Sequence, residues 1–544
     1  MRLGPLAIAA AATVAAALVP TASIEAWITH PARVALTGGV PATTVEGARW
    51  MKLALLALPA TLLASWWALG RIAPSHEAPS RPRPGRNELL AVAIATLAAA
   101  ALRADRLGES LWYDELAALL GYSIHGVGPS VGNWFSAVNH LPSTALVAGT
   151  IEITGVNELS VRLPAFLAGL ACIPATWWLG RVAELPRPEF AAAAMAAFPV
   201  AIVESTDARG YSLMILLATL ATGLGLEAFR RGGAVRWMAY AAVVALGVWN
   251  HLAAIGVPLG HGLLLLVALR GPRRRDALGG LLALVTAAAW TAVLWSPALP
   301  DFLATRAQFR AVAGETPSLV GPEMLRALGG LGGSWWPFTA IAGGLLAIQG
   351  LAHGILEHPR RRIAFLAAIA GVPVVVALAA LADSWLYARF LVFGLPATAL
   401  AIGGIGPVAN PAGLRAAWVC LAAFLVASAV TVRGLPPRQP LREAVEAAKA
   451  VAGEGNPVGV VGLRDQVTLF YAEPIGVPLV DLGDRGAELV AGEVAAPATV
   501  IVLYPDLLPA ATAAALDAAG LATERRLDGW VDWGRGAIEI RIRR

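Results

Sequence analysis

Residues 109–115 read Glu-Ser-Leu-Trp-Tyr-Asp-Glu and follow an apolar run that ends near 103. The adjacent carboxylates Asp114 and Glu115, just outside a membrane helix, could supply a general base for an incoming hydroxyl. They could equally be the N-cap and first-turn acids of a helix beginning at Glu115, and Asp114 could do both. Asn139-His140-Leu141-Pro142 places a histidine at a helix start. There it could donate to a phosphate with help from the helix N-terminus, or simply cap at the interface. In Glu204–Tyr211, Arg209 lies between two apolar runs, where it either pairs with Asp207 or Glu204 or binds an anion. Tyr387-Ala388-Arg389-Phe390 puts another arginine at a helix end, for an anion or for snorkelling to headgroups. Asn250-His251 is a weaker ligand candidate, since a core histidine satisfied by its neighbours fits as well. Arg306 and Arg310, four apart, suit headgroup contact, and nothing marks Arg162 or Arg326. There is no Walker loop, HExxH or GxSxG motif, so cytoplasmic ATP chemistry has no machinery.

The elements that carry these residues are set by composition. The chain has 544 residues, 57% hydrophobic and 14% charged, with a mean hydropathy of +0.66. A soluble chain carries about a quarter charged residues. Most of this one must therefore face lipid or other helices. A cytosolic enzyme, a disordered scaffold and a nucleic-acid binder are excluded. The pI of about 9.5 comes from arginine, because Lys52 and Lys449 are the only lysines. Arginine in place of lysine, with abundant Ala and Gly, suggests a bacterial genome rich in GC. Cys172 and Cys420 both lie in apolar runs, so neither a disulfide framework nor a cysteine metal site is expected.

A spanning helix needs about 20 mostly apolar residues. Thirteen runs qualify, near 4–22, 50–70, 88–103, 161–180, 190–204, 211–229, 237–253, 254–269, 277–296, 336–352, 363–382, 390–406 and 414–431. The loops alternate in charge. One set, with Arg2, Arg71, Arg81, Arg83, Arg86, Arg181, Arg187, Arg230, Arg231, Arg236, Arg270, Arg273–Arg275, Arg360–Arg362 and Arg415, holds 18 of the 41 basic residues. The positive-inside rule puts that set in the cytoplasm. The candidate residues then fall on the outer face, and so does the C-terminus. The first 26 residues also fit a signal peptide, which leaves the remaining topology unchanged.

Three parts follow. Residues 1–80 are an N-terminal extension with two predicted spans, residues 81–432 the membrane part, and residues 433–544 a small soluble α/β domain. In the last, 440–453 and 509–519 read as helices, and 457–463, 498–504 and 536–543 as strands. Of the long outer segments, 23–49 reads as polar loop. Residues 104–160 form the largest loop of the membrane part, and 297–335 ends at the interfacial pair Trp335-Trp336.

The stretch 102–115, LRADRLGESLWYDE, closely resembles the first outer loop of the membrane-embedded, lipid-linked-sugar glycosyltransferases of GT-C fold. Within them it looks most like family 39 and the protein-mannosyltransferase-like bacterial members, which include aminoarabinose transferases of lipid A. Four further elements match in the family's order: Asn139–Pro142, Glu158–Pro164 (ELSVRLP), Ala208–Tyr211 (ARGY) and Tyr387–Pro396 (YARFLVFGLP). The resemblance covers about 88–430. It departs at Leu141, where the family usually has proline, and at residues 1–80, which precede the family's usual first helix.

The resemblance implies a polytopic α-helical membrane protein of about 13 spans with a small outer α/β domain. Its donor would be a sugar on a polyprenyl phosphate, and its acceptor a hydroxyl of a glycan, lipid or protein. Asp114 would be the base for an inverting in-line attack, and Glu115 would orient Asp114 or a sugar hydroxyl. His140, Arg209 and Arg389 would clamp the leaving phosphate, with Tyr113, Asp207, Tyr211, His251 and Tyr387 around the substrate. No cofactor is expected. Some relatives use a divalent metal, but no convergent ligand set is visible in the sequence. The location implied is the bacterial inner membrane, with no nucleic-acid partner. The alternatives are a transporter or lipid-linked-sugar flippase, and a scaffold presenting the C-terminal domain. Transporters gather charges near the midplane, often in paired repeats, whereas here the charges lie at helix ends and no repeat is evident.

Overall fold

The computed structural model describes residues 3–77, 81–306, 336–384, 386–405, 411–462, 470–483, 486–530 and 536–544. Arg310, Arg326 and Trp335 lie outside them. Each of the thirteen apolar runs is a helix or a broken pair of helices. Among the described residues eight helices are long and apolar enough to cross a membrane, or nine if the bent pair Leu6–Leu18 and Thr21–Ile28 is one span. The rest are shorter because the chain interrupts them. The run at 190–204, for example, is split into Pro188–Ala197 and Pro199–Glu204. Phe198 cannot continue the first helix, since the residue before a proline is pushed out of the helical region.

The helices share one apolar core, which includes Phe190, Met195, Met214, Trp237, Tyr240, Phe393 and Phe424. Five arginines assigned above to one side of the membrane, Arg81, Arg181, Arg187, Arg230 and Arg360, line a single cavity of about 720 Å³ with Glu88, Glu184 and Glu189. The loops that carry them therefore meet at one end of the bundle.

The segment 23–49 is not a polar loop. It forms helices Thr21–Ile28 and Pro31–Thr37, and the spanning helix Ala42–Ile72 already begins at Ala42. Local polarity misled because these short helices pack on protein. Ile24 and Ile28 are buried with Ala48, and Arg33 ion-pairs with Asp301 at 2.5 Å. Gly128 and Gly132 allow the close approach, because a Cβ at Gly128 would lie 1.9 Å from the Trp27 carbonyl oxygen. The extension thus clasps the segment leading to His140. Arg33 donates to Asn133 Oδ1 and Asn133 Nδ2 to the Ile28 carbonyl, while Asn139 Nδ2 donates to the carbonyls of Ser130 and Asn133.

At the C-terminal end five strands form one sheet: β1 (Val458–Val461), β2 (Leu479–Asp481), β3 (Thr499–Leu503), β4 (Leu521–Leu527) and β5 (Ile538–Arg543), in the order β2-β1-β3-β5-β4. β1 pairs in parallel with β2 and β3, and β5 is antiparallel to β3 and β4. The strands expected near 457–463, 498–504 and 536–543 are β1, β3 and β5, and the two helices lie at Leu441–Ala452 and Ala510–Ala518. β2 and β4 escaped the sequence pattern. β2 is three residues long, and β4 is an edge strand carrying Glu524, Arg525 and Arg526, charges that suit an edge and hide the apolar alternation.

Helix Leu441–Ala452 buries Leu441, Ala444, Val445 and Ala448, the spacing of one helical face. These join Leu111, Leu116, Leu119, Val147, Ile151 and Val161 of the membrane part in one cluster with Val458, Ile501 and Ile540. The sheet and residues 111–161 therefore share a core.

Candidate active site

Helix Tyr113–Gly121 presents Asp114 in its first turn. Arg209 Nη2 lies 3.7 Å and Arg389 Nη2 3.6 Å from Asp114 Oδ2. These are ion-pair distances outside hydrogen-bond range, so neither arginine occupies the lone pairs of the carboxylate in a fixed bond.

Glu115, the next residue, is turned the other way and has no side-chain exposure. Its oxygens receive Arg162 Nε at 2.8 Å and Nη2 at 2.6 Å, Ala208 N–H at 2.7 Å and Trp112 N–H at 3.1 Å. Arg162 also donates to the carbonyls of Arg106, Leu107, Glu109 and Ser110. This one side chain shapes the loop that delivers Trp112 and Asp114. It sits on helix Glu158–Val182, whose start Asn157 caps by accepting the Ser160 N–H at 2.9 Å.

His140 is the N-cap residue of helix Leu141–Thr154 and is buried. Its Nδ1 accepts the Gly210 N–H at 2.7 Å, which leaves the ring proton on Nε2. Arg209 Nη2 lies 3.4 Å from that Nε2, so two donor nitrogens lie side by side. Asn250 fixes the same turn, donating to the Gly210 carbonyl at 2.7 Å and accepting from Ser143 Oγ at 2.7 Å. A Cβ on Gly210 would lie 2.8 Å from His140 Nδ1 and 2.9 Å from Asn250 Oδ1. Gly210→Ala is therefore expected to push the imidazole and the Asn250 amide aside, an overpacking that costs about 1–3 kcal/mol. A lower melting temperature in detergent checks this.

Burial holds the His140 imidazole well below its usual 6.5, with Arg209, His251 and Arg389 adding to the effect. The unfolded chain binds a proton near 6.5 that the folded ring refuses. The stabilisation is thus complete above pH 6.5 and is lost as the pH falls below it. Lowering the pH from 7 to 5 should lower the melting temperature, and His140→Gln should make that fall smaller.

Rings complete the wall. His251 lies 4.6 Å from His140, Tyr211 5.2 Å from both, and Phe390 5.2 Å from His251. Arg389 lies over Tyr387 at 4.6 Å. The structure thus brings together Asp114, His140, Arg209, Tyr211, His251, Tyr387 and Arg389, from five separate stretches of sequence. Three other candidates sit elsewhere. Glu115 faces Arg162. Tyr113 packs against the cluster shared with the C-terminal domain. Asp207 lies beneath Trp112, accepting its indole N–H at 2.9 Å.

Arg209 pairs with neither Asp207 nor Glu204. Both acids instead face Arg438, whose Nη2 is 3.0 Å from Glu204 Oε1 and 3.0 Å from Asp207 Oδ2. Arg438 belongs to the linker before the sheet, more than 200 residues away in sequence, and no local signal points to it. Arg162 could have been found, since it lies within the ELSVRLP element. Among the described residues no three His, Cys, Asp or Glu side chains converge as a metal site.

No protein-family model and no curated protein matches the chain. Solved structures do. The ArnT of Cupriavidus metallidurans bound to undecaprenyl phosphate is 15% identical, with a TM-score of 0.50 over 83% of this chain and 97% of that one. The same protein in the apo state gives 14% identity and a TM-score of 0.51 over the same shares. The oligosaccharyltransferase AglB of Archaeoglobus fulgidus is 12% identical, with a TM-score of 0.47 over 77% of this chain and 69% of that one. The chain shares its fold with ArnT, the GT-C fold that residues 102–115 resemble.

Proposed function

We propose that this GT-C-fold membrane protein transfers a sugar from a polyprenyl-phosphate donor to an acceptor hydroxyl, with Asp114 as the base and inversion at the anomeric carbon. The observation that carries the reading is a carboxylate flanked by two arginines, one of which, Arg209, has a guanidinium nitrogen 3.4 Å from His140 Nε2. Donors so arranged suit a phosphate oxygen, and guanidinium groups match its geometry. The acceptor oxygen attacks the anomeric carbon and the bond from that carbon to the phosphate oxygen breaks. Asp114 takes the hydroxyl proton, and the polyprenyl phosphate leaves as an anion. Arg209, Arg389 and His140 stabilise the charge that grows on it, which preorganised donors do well in a dry site. Tyr211, His251 and Tyr387 line the sugar, while Glu115, Asp207 and Tyr113 hold the loop that carries Asp114. ArnT of this fold has been solved with undecaprenyl phosphate bound, which supports the donor class.

The site lies at helix ends, and the arginine-lined cavity formed by the loops of the other parity supports placing it on the extracytoplasmic face of a bacterial inner membrane. The acceptor is a glycan, a lipid or a protein. The test offers purified protein in nanodiscs a panel of radiolabelled polyprenyl-phosphate sugars. Release of sugar from one donor, with the anomeric configuration of the product inverted, is expected. Retention of a lipid-linked sugar without turnover would favour transport.

A further inference from the structure

Trp112, two residues before Asp114, lies under two guanidinium groups, with Arg389 at 5.7 Å and Arg438 at 5.0 Å from its ring centroid. Arg389 also lies over Tyr387 at 4.6 Å, and Arg438 over Trp530 at 5.5 Å. The result is an unbroken alternation, Tyr387, Arg389, Trp112, Arg438, Trp530, running from the candidate phosphate site to the C-terminal domain. Cations over aromatic faces attract, most strongly over indole and when desolvated. Arg438 meets that condition, since its side chain is 7% exposed and faces Glu204 and Asp207, which are 3% and 1% exposed. Asp207 in turn holds the Trp112 indole N–H.

The chain around Trp112 is tied to the same C-terminal segment. Ser110 Oγ donates to the Gln439 carbonyl at 2.9 Å, Leu111 N–H to the Tyr471 hydroxyl at 2.7 Å, and Tyr113 N–H to Gln439 Oε1 at 3.2 Å. Trp530 N–H closes the arrangement by donating to the Pro437 carbonyl at 2.9 Å.

We infer that the C-terminal domain completes the phosphate-binding site, with Arg438 and Trp530 as positioning residues that hold Trp112 and, through it, Arg389. The inference rests on the donor reading above and deepens it. Arg389 faces the leaving phosphate, and its planar group is oriented by the rings it lies over. The last ring of the series is supplied by Trp530, from beyond the sheet's fourth strand.

The test measures binding of undecaprenyl phosphate to the full-length protein in nanodiscs, together with its melting temperature. Trp530→Ala is expected to weaken binding about tenfold, the size of one desolvated cation–π contact, with some fall in melting temperature because the ring also packs on the bundle core. Trp530→Phe, which keeps an aromatic face, should recover most of the affinity. Arg438→Lys should fall between, because it keeps the charge for Glu204 and Asp207 but loses the planar face. Wild-type binding left unchanged by Trp530→Ala would overturn this inference alone. A Trp530→Ala protein that melts lower and is not recovered by Phe would assign the residue to folding and overturn it too. A wild-type protein that fails to retain undecaprenyl phosphate would overturn the donor reading, and this inference with it.

Discussion

Asp114→Asn is expected to abolish transfer while leaving the protein folded and its lipid binding intact or tighter. The side chain is 17% exposed and lies 3.6 and 3.7 Å from the two arginines, so an isosteric amide removes no fixed hydrogen bond to them. What it removes is the group proposed to accept the hydroxyl proton. A positioned base contributes about 10²- to 10⁴-fold in rate, and the loss should fall in kcat. The amide also stops neutralising Arg209 and Arg389, which then face an incoming phosphate with their full charge. Sugar release from the donor lipid, measured beside titration with undecaprenyl phosphate, reads both effects. Release that continues at the wild-type rate would move the base elsewhere. Loss of lipid binding together with turnover would make Asp114 a structural partner of the arginines.

Glu115→Ala, one residue along, should give the opposite phenotype. Its carboxylate takes two bonds from Arg162 and two from backbone N–H groups, all in the interior. Removing one partner of a buried ion pair costs about 3–5 kcal/mol, since the other charge stays behind uncompensated. Here the Trp112 and Ala208 amides also lose their acceptor. We expect a large fall in melting temperature in detergent, with activity falling alongside stability. Asp114→Asn is the control that melts like the wild type. A Glu115→Ala protein that is stable yet inactive would instead put this carboxylate in the chemistry.

The contrast between these neighbours shows where reading the chain stops. The pair Asp114-Glu115 was visible as chemistry or as a helix start, and residue types alone kept both readings open. What separates the two carboxylates is Arg162 against Glu115 and the Arg209 and Arg389 guanidiniums near Asp114, all supplied from later in the chain. Similarly, His140 was recognisable at a helix start, but its tautomer depends on the Gly210 N–H, supplied 70 residues later. Residues 23–49 misled because a short helix that packs on another helix looks like loop when its partner is not known.

The sequence by itself determined the class of molecule, since apolar runs long enough to span lipid and arginines sorted by loop parity are local properties that the membrane enforces directly. It also determined most of the small sheet, because β1 and β3 are short apolar runs and β5 alternates apolar with charged residues. Only the tertiary structure decided which charges meet. Burying Glu204 and Asp207 is tolerable only with a cation against them, and that cation is Arg438, from a linker that composition marks merely as the end of the membrane part. Ion pairing and ring stacking between distant segments leave no period in the sequence. They depend on where helices place their ends, and those positions are fixed by the packing of the whole bundle.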